Sequence, residues 1–281
     1  MRFGFLLKPG KPEAQRLAAD LAEVLRRRGC TTLVATDADG LPGFTPVPPE
    51  KLGASIDVLV ILGGDGTFLH GASLVADHGV PLLGINLGTL GFMTHYTLPE
   101  AQDAVVAAAD GKLPIDSRMR LRVTVRSGGQ EMETRTALNE AVIQRANPRL
   151  LDLRAELDGD PIAIYKADGL IVSTPTGSTA YNLAAGGPVL TPDLEAIVLT
   201  PICPHTLTNR PVVIRADARA SFTNVSAYPV TMTVDGRWQR DLAPGDSVDV
   251  RKADRPLRTF RPQNTFFAVL RQKLSWGERQ A

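Results

Sequence analysis

An apolar run from Ile56 to Leu62 stops at Gly63-Gly64-Asp65-Gly66-Thr67, and the next segment, Phe68 to Val75, reads as the start of a helix. A strand that ends in glycines and opens a helix is the building unit of a parallel α/β sheet, where ligands bind outside the carboxyl ends of the strands. Glycines let the backbone turn and come close to a ligand. The helix start offers unpaired N–H groups to an anion. Asp65 fits a bare phosphate cradle badly, because its charge repels phosphate. It fits a site where a carboxylate holds a divalent metal or takes a proton from a hydroxyl. No Gly-Lys-Ser/Thr follows, so this is not a Walker loop, and the Rossmann glycine spacing is absent. Taken alone, the stretch is also good material for a plain tight turn.

The flanking pattern extends the same architecture. Phe3–Leu7 and Thr31–Ala35 read as strands around a helix whose apolar face is Ala14, Leu17, Ala18, Leu21 and Leu25. Arg26 to Arg28 and Gly29 end that helix well. Lys8-Pro9-Gly10-Lys11-Pro12 is a loop, and 38–50, rich in Pro and Gly, reads as another. Val80–Asn86 is a further strand, running into Gly88-Thr89-Leu90-Gly91-Phe92, and Glu100–Ala109 a short helix. This alternation predicts a parallel sheet flanked by helices.

Near residue 115 the period changes from helical to two. Leu121, Val123 and Val125 alternate with polar partners, 134–144 reads as one strand, and Asp158-Gly159 and Asp235-Gly236 are hairpin turns. Further strands are expected at 196–199, 212–215, 230–234 and 247–251, so the second half is β-rich. Phe266–Leu274 suits a strand or a helix.

Two stretches in this half carry polar chemistry. Asn139 and Glu140 interrupt an apolar strand, and adjacent strand residues face opposite ways, so one of them points inward unless the strand ends or bulges there. A buried carboxylate without a partner is costly; a ligand's diol would supply one, and a strand edge facing water is the plainer reading. Asp168 to Pro188 places Ser173, Thr174, Thr176, Ser178 and Thr179 around Pro175 and Gly177, ahead of a helix-like Thr179–Ala185. That is an anion-ready loop or an ordinary capped helix. Tyr181 could stack on a ring, and Lys166 and Asp168 could pair. Lone histidines such as His70 and His205 read as structural.

Composition narrows the class. A net charge of +1 on 281 residues gives no basic or acidic bias toward nucleic acid or a membrane surface. Two distant cysteines, Cys30 and Cys203, suit a reducing compartment rather than a disulfide scaffold or zinc site. The N-terminal apolar run is too short for a signal peptide. The expectation is a soluble cytoplasmic protein.

The Gly-Gly-Asp-Gly-Thr turn, Asn139-Glu140, Asp168-Gly169-Leu170-Ile171-Val172-Ser173-Thr174-Pro175-Thr176-Gly177-Ser178-Thr179-Ala180-Tyr181 and Pro204-His205-Thr206-Leu207 together resemble the bacterial NAD kinase family. The first motif is shared with lipid kinases and 6-phosphofructokinases; the 168–188 stretch is specific. The resemblance implies a two-domain NAD kinase-like fold, with 1–115 as the α/β domain, 116–260 as a β-rich NAD-binding domain and 261–281 as a tail that could pack back on the first. It implies phosphoryl transfer from ATP or polyphosphate to the adenosine ribose 2′-hydroxyl of NAD, with Mg²⁺ arriving with the nucleotide, in a homodimer or homotetramer. Carried over by position, Asp65 is the catalytic aspartate. Gly63, Gly64, Gly66 and Thr67 meet the phosphate donor. NAD contacts fall to Asp65, Gly66, His70, Asn139, Glu140, Arg149, Lys166, Asp168, Thr179, Ala180, Tyr181, Asn182, Leu183, Ala184 and Arg237. Lys166 stands where the family often has Arg, and Arg237 where many members have Gln. The rivals are a lipid kinase, which leaves 168–188 unexplained, and a sensor that binds NAD without turnover.

Overall fold

The computed structural model describes residues 1–35, 41–88, 91–206, 208–261 and 264–276. The 38–40 part of the expected loop, Thr89, Leu90, Leu207, and 262–263 and 277–281 of the tail lie outside the described residues. Two units emerge: Met1–Ser117 joined by the chain from Leu257 onward, and Arg118–Pro256.

The first unit runs β1 (Arg2–Leu7), α1 (Pro12–Arg26), β2 (Thr31–Ala35), β3 (Thr45–Val47), α2 (Pro49–Ser55), β4 (Val58–Leu62), α3 (Asp65–Val75), β5 (Leu82–Ile85), α4 (Ala101–Ala109) and β6 (Ile115–Arg118). Among the described residues its sheet has the order β3-β2-β1-β4-β5, continued by a strand from the end of the chain and then β6. The pairings from β3 through β5 are parallel. Strand order reverses at β1, so β1 and β4 flank the switch point, where α/β sheets open a crevice beyond the strand ends. Leu7 sits in register with Leu62, and Lys8 N–H donates to the Leu62 carbonyl at 2.9 Å. The Lys8–Pro12 loop and the glycine turn therefore leave the sheet side by side.

Why β4 is central follows from its residues. Val58 to Leu62 are all buried, as a strand covered on both faces requires. Val58, Val60 and Leu62 pack in one core with Ala14, Ala18, Leu21 and Leu25 of α1, and each of the valines and leucines contributes about 1.5–3 kcal/mol. The predicted 38–50 loop gives way, in its described part, to β3 and the start of α2, whose Pro49 suits a first helical position.

The second unit contains β7 (Leu121–Ser127), β8 (Gln130–Ala137), β9 (Glu140–Arg145), β10 (Leu151–Leu157), β11 (Asp160–Ala167), β12 (Gly169–Ser173), α5 (Tyr181–Ala184), β13 (Ala196–Ile202), β14 (Val212–Arg215), β15 (Ala220–Asn224), β16 (Val230–Val234), β17 (Trp238–Leu242) and β18 (Ser247–Lys252). Two six-stranded sheets, β11-β10-β15-β18-β7-β8 and β14-β13-β12-β9-β16-β17, enclose one core. Leu121, Val123 and Val125 face it as their alternation predicts. The expected single strand over 134–144 is two strands, broken at Leu138-Asn139.

The chain then returns to the first unit. β19 (Leu257–Phe260) pairs in parallel with β5, and α6 (Phe266–Leu274) follows, resolving the choice between strand and helix. Among the described residues no helix is long and apolar enough to cross a membrane.

Candidate functional site

In the first unit the site is the start of α3. Gly64 stands before its first turn and Asp65 occupies the first helical position. The first N–H groups of a helix have no intrahelical partner. The Asp65 carboxylate is bound by a single loop. Oδ2 accepts Phe92 N–H at 2.9 Å, and Oδ1 accepts Met93 N–H at 3.1 Å and both the N–H and the hydroxyl of Thr94 at 3.2 Å. A carboxylate offers about four accepting directions, so Oδ2 keeps one open. A Cβ at Gly91 would overlap Oδ1 of Asp65, which is why a residue without a side chain stands there. A cavity of about 380 Å³ opens here, lined by Lys8, Lys11, Glu13, Gly64, Asp65, Asn86, Leu87, Gly88, Gly91 and Lys273 among the described residues.

In the second unit the break between β8 and β9 builds a buried polar corner. The Asp235 carboxylate accepts the backbone N–H of Leu138 and Asn139 at 2.8 Å and that of Glu140 at 3.1 Å. Asp235 sits in the β16–β17 turn with φ of 49°, a left-handed conformation that Asp tolerates. The residue as a whole is half-buried, yet its carboxylate is enclosed. Asn139 and Glu140 are both buried, at 6% and 9% exposure. Asn139 Oδ1, Glu140 Oε2 and Thr176 Oγ1 are buried without a hydrogen-bond partner among the described residues. Such orphaned groups cost about 1–3 kcal/mol each unless something meets them. Burial, and secondly the charge of Asp235, push the Glu140 carboxyl from 4.5 up to about 8. Burial pushes Asp235 upward as well, against its three amides and Arg120.

The family comparisons bear on both corners. The ATP-NAD kinase N-terminal domain model matches residues 3–112, and the ATP-NAD kinase C-terminal domain model matches 138–261. The NAD kinase of Geotalea daltonii is 41% identical over 282 residues, covering 99% of both chains, and that of Geobacter sulfurreducens is 40% identical with the same coverage. The chain belongs to the NAD kinase family. Among solved structures, yeast NADH kinase complexed with NADH superimposes with a TM-score of 0.93 at 26% identity, covering 100% of this chain and 89% of that one. An NAD kinase from Archaeoglobus fulgidus in complex with ATP gives 0.79 at 25% identity, covering 99% and 100%.

The family's most specific stretch acts here largely as internal scaffolding. Thr174 Oγ1 donates to the Leu138 carbonyl at 2.6 Å, and Thr174 N–H to that of Asn139 at 2.8 Å. Gly177 backs onto the Asn139 carbonyl so closely that a Cβ would overlap it. Ser178 Oγ donates to the Pro175 carbonyl at 2.6 Å and accepts Leu190 N–H at 3.0 Å. Asn182 is fully buried, its amide shared among Ser178, Pro188 and Thr200. The hydroxyls of Ser173, Thr174 and Ser178 thus lock the loop internally and against 138–139, while that of Thr176 is left without a partner among the described residues. The expected helix over 179–185 is a 3₁₀ turn, Thr176–Thr179, and then the single turn of α5, with no side-chain cap. That corrects the anion-ready helix reading, because one turn of helix carries little dipole.

Other residues singled out by the NAD kinase resemblance are spread more widely. Gly66 is exposed at the start of α3, with Thr67 half-buried beside it and His70 half-buried one turn on. Thr179, Ala180 and Leu183 are half-buried, Ala184 is exposed, and Tyr181 is 43% exposed at the start of α5. Asp168 pairs with Arg145 at 2.8 Å, not with Lys166, which is exposed on β11. Arg149 and Arg237 are exposed. Three features escaped the sequence reading: the anchoring role of Asp235, the 91–94 loop that holds Asp65, and the lysines around the first cavity. Asp235 had one available signal, an acid at a hairpin tip, but turns favour Asp for their own sake.

Proposed function

We infer that this chain is an NAD kinase. It transfers the terminal phosphoryl group of ATP to the adenosine ribose 2′-hydroxyl of NAD, giving NADP and ADP. The observation that carries this reading is identity of 40–41% over the full length of NAD kinases, with both domain models matched.

The roles follow from the two corners. Phosphoryl transfer depends mainly on positioning and charge neutralisation. In the first unit Asp65, with Oδ2 open, accepts the 2′-hydroxyl proton as the 2′-oxygen bonds to phosphorus and the bond to the leaving ADP breaks. Gly63, Gly64, Gly66 and Thr67 let the donor approach the helix start, with His70 nearby. In the second unit Asn139, Glu140 and the Thr176 hydroxyl are the orphaned groups that a ribose diol and an amide satisfy. Tyr181, Thr179, Ala180, Leu183 and Ala184 form the more exposed border of that corner. Asn182 and Asp168 position it from within. Lys166, Arg149 and Arg237 are cationic side chains open to a dinucleotide phosphate.

No group of three metal-binding side chains exists among the described residues. A single carboxylate such as Asp65 still suits Mg²⁺, which binds through one or two carboxylates and substrate phosphates. Bound with the nucleotide, it would neutralise charge on the phosphoryl oxygens. We place the enzyme in the cytoplasm, where Cys30 and Cys203 stay reduced. The open edge strand β14, with Val212 and Val213 exposed, supports a homodimer or homotetramer.

The test is chromatography of NAD incubated with ATP and Mg²⁺, with polyphosphate, and with ATP plus diacylglycerol. NADP from ATP is the expected product. Absence of NADP with both donors would overturn the reading. Light scattering should give two or four times the 30.1 kDa chain mass.

A further inference from the structure

We propose that Asn86 is a positioning residue for phosphoryl transfer: through the Thr94 hydroxyl it fixes how the Asp65 carboxylate is held and which of its oxygens is left for the reacting hydroxyl. This deepens the NAD kinase reading and rests on it for the role of Asp65. Asn86 follows directly on β5, whose four residues, Leu82–Ile85, are all buried. It is itself 6% exposed, and Thr94 is fully buried. Buried polar side chains need partners. These two reach each other across eight positions, Asn86 Nδ2 donating to Thr94 Oγ1 at 2.8 Å.

Each bond in the chain has one possible direction. Gly88 N–H can only donate, so the side-chain atom 2.8 Å from it is the Asn86 carbonyl oxygen. That turns the NH₂ of the amide toward Thr94. An amide NH₂ donates and does not accept, so Thr94 Oγ1 is the acceptor of that bond. Its single proton is then left for Asp65 Oδ1, 3.2 Å away. Orientation thus passes from Gly88 through Asn86 and Thr94 to Asp65, and no proton changes owner. Oδ1 also takes the N–H groups of Met93 and Thr94. Among the described residues it carries three donors against one, Phe92 N–H, on Oδ2. The accepting direction left open is therefore on Oδ2.

The backbone holds these side chains in place. Asn86 N–H donates to the Tyr96 carbonyl at 2.7 Å, and Tyr96 N–H to that of Gly84 at 3.2 Å. The two bonds pin Tyr96 beside Ile85 as a parallel bridge. Gly91 N–H closes the loop onto the Thr94 carbonyl at 3.2 Å. A Cβ at Gly84 would come within 3.0 Å of the Met93 carbonyl oxygen and Thr94 Cα, so strand and loop lie against each other. A bond between two buried polar groups is often structural only; here its far end is the acid. Asn86 also lines the same cavity as Asp65. Direct contact with a ligand is therefore the rival role, and the experiment separates the two.

Thr94→Val removes the hydroxyl at nearly constant shape, and Thr94→Ser keeps it. Asn86→Asp keeps the acceptor for Gly88 N–H but replaces the NH₂ with an oxygen that draws the Thr94 proton away from Asp65. Steady-state kinetics with ATP and NAD is measured for wild type, these variants and the Asn86→Asp/Thr94→Val double variant. Thr94→Val and Asn86→Asp are each expected to lower kcat about ten- to thirtyfold, short of the loss for a fully misplaced group. The NAD KM should stay within about twofold, a split that general loosening of the fold would not give. Thr94→Ser should keep kcat within about threefold of wild type. Because Asn86 acts through the hydroxyl, the double variant should be no slower than the slower single one. Unaltered kcat in Thr94→Val would overturn the proposal, as would effects that multiply in the double variant. Multiplying effects are the result expected if Asn86 touches a ligand or if its new charge acts alone. Where Asn86→Asp does not fold, Asn86→Ala takes its place in the cycle with the same expectations. A wild type that makes no NADP would sink the kinase reading. The same cycle in urea unfolding then reads the Asn86–Thr94 link: coupled losses of stability would leave it standing, and additive ones would overturn it.

Discussion

Asp235 accepts the backbone N–H of Glu140 at 3.1 Å across 95 residues of sequence. The contact has two consequences. With the amides of Leu138 and Asn139, it fixes the start of β9 so that Asn139 and Glu140 are both buried. It also sets a second acid against Glu140. Burial raises both carboxyls, and the charge of Asp235 adds to the rise on Glu140.

Replacing Asp235 with Asn should therefore loosen the corner. Asn keeps one acceptor but brings an NH₂ against backbone donors. The expected loss is about 2–4 kcal/mol in urea unfolding, from weakened charge-assisted hydrogen bonds and one repulsive contact. NAD affinity by calorimetry should fall with it. Unchanged NAD affinity in a folded variant would show that the amide anchor does not position the dinucleotide corner.

Glu140 makes stability pH-dependent in a defined direction. Its carboxyl stands at about 8 in the fold against an ordinary 4.5. Between those values the unfolded chain releases the proton and the fold retains it. Stability therefore falls as pH rises through that window, by up to about 1.4 kcal/mol per unit, and levels off above it. Glu140→Gln removes this contribution. Urea melts at about pH 5 and about pH 8 should show the variant gaining on wild type at the higher pH, with Asp235 and Arg120 unchanged. Parallel curves would contradict the assignment.

Asp65→Asn should lower kcat about 10²–10⁴-fold, the usual worth of a positioned base, with NAD binding retained. Turnover close to wild type would remove Asp65 from the proton-transfer role.

Gly91→Ala tests whether the 91–94 loop positions that acid. The added methyl meets Asp65 Oδ1 and Thr94 Oγ1, so the carboxylate must turn. A loss of about 10² in kcat is expected from misplacement alone. Unaltered kcat would mean that the carboxylate works in another orientation.

Much of the scaffold was legible because local patterns carry it. The fully apolar Val58–Leu62 and the glycines after it place a buried strand and a helix start without any distant information. Period-two alternation located β7, and the Asp-Gly pairs located the turns at Asp158 and Asp235. Where composition and environment disagree, the pattern failed. Pro46, Pro48 and Pro49 made 45–50 read as loop, yet β3 pairs with β2 and α2 begins at Pro49. The stretch 134–144 has no local stop, because its interruption comes from Asp235.

The hydroxyl-rich 168–188 stretch shows the same division. Its composition marked it as special, and its resemblance named the family. Whether each hydroxyl faces a ligand or the protein depends on partners such as the Leu138, Asn139 and Pro175 carbonyls.

The sequence by itself determined the parallel α/β half, the β-rich half, the glycine turn bearing Asp65 and the family. These are written in short-range periodicity and contiguous motifs. Only the tertiary structure decided that Phe92 to Thr94 hold Asp65, that burial and then the charge of Asp235 raise the Glu140 carboxyl, and that Lys273 joins Lys8 and Lys11. Those outcomes rest on contacts between residues tens to hundreds of positions apart. A hydrogen bond or a shared cavity leaves no period in the chain, so folding alone reveals it.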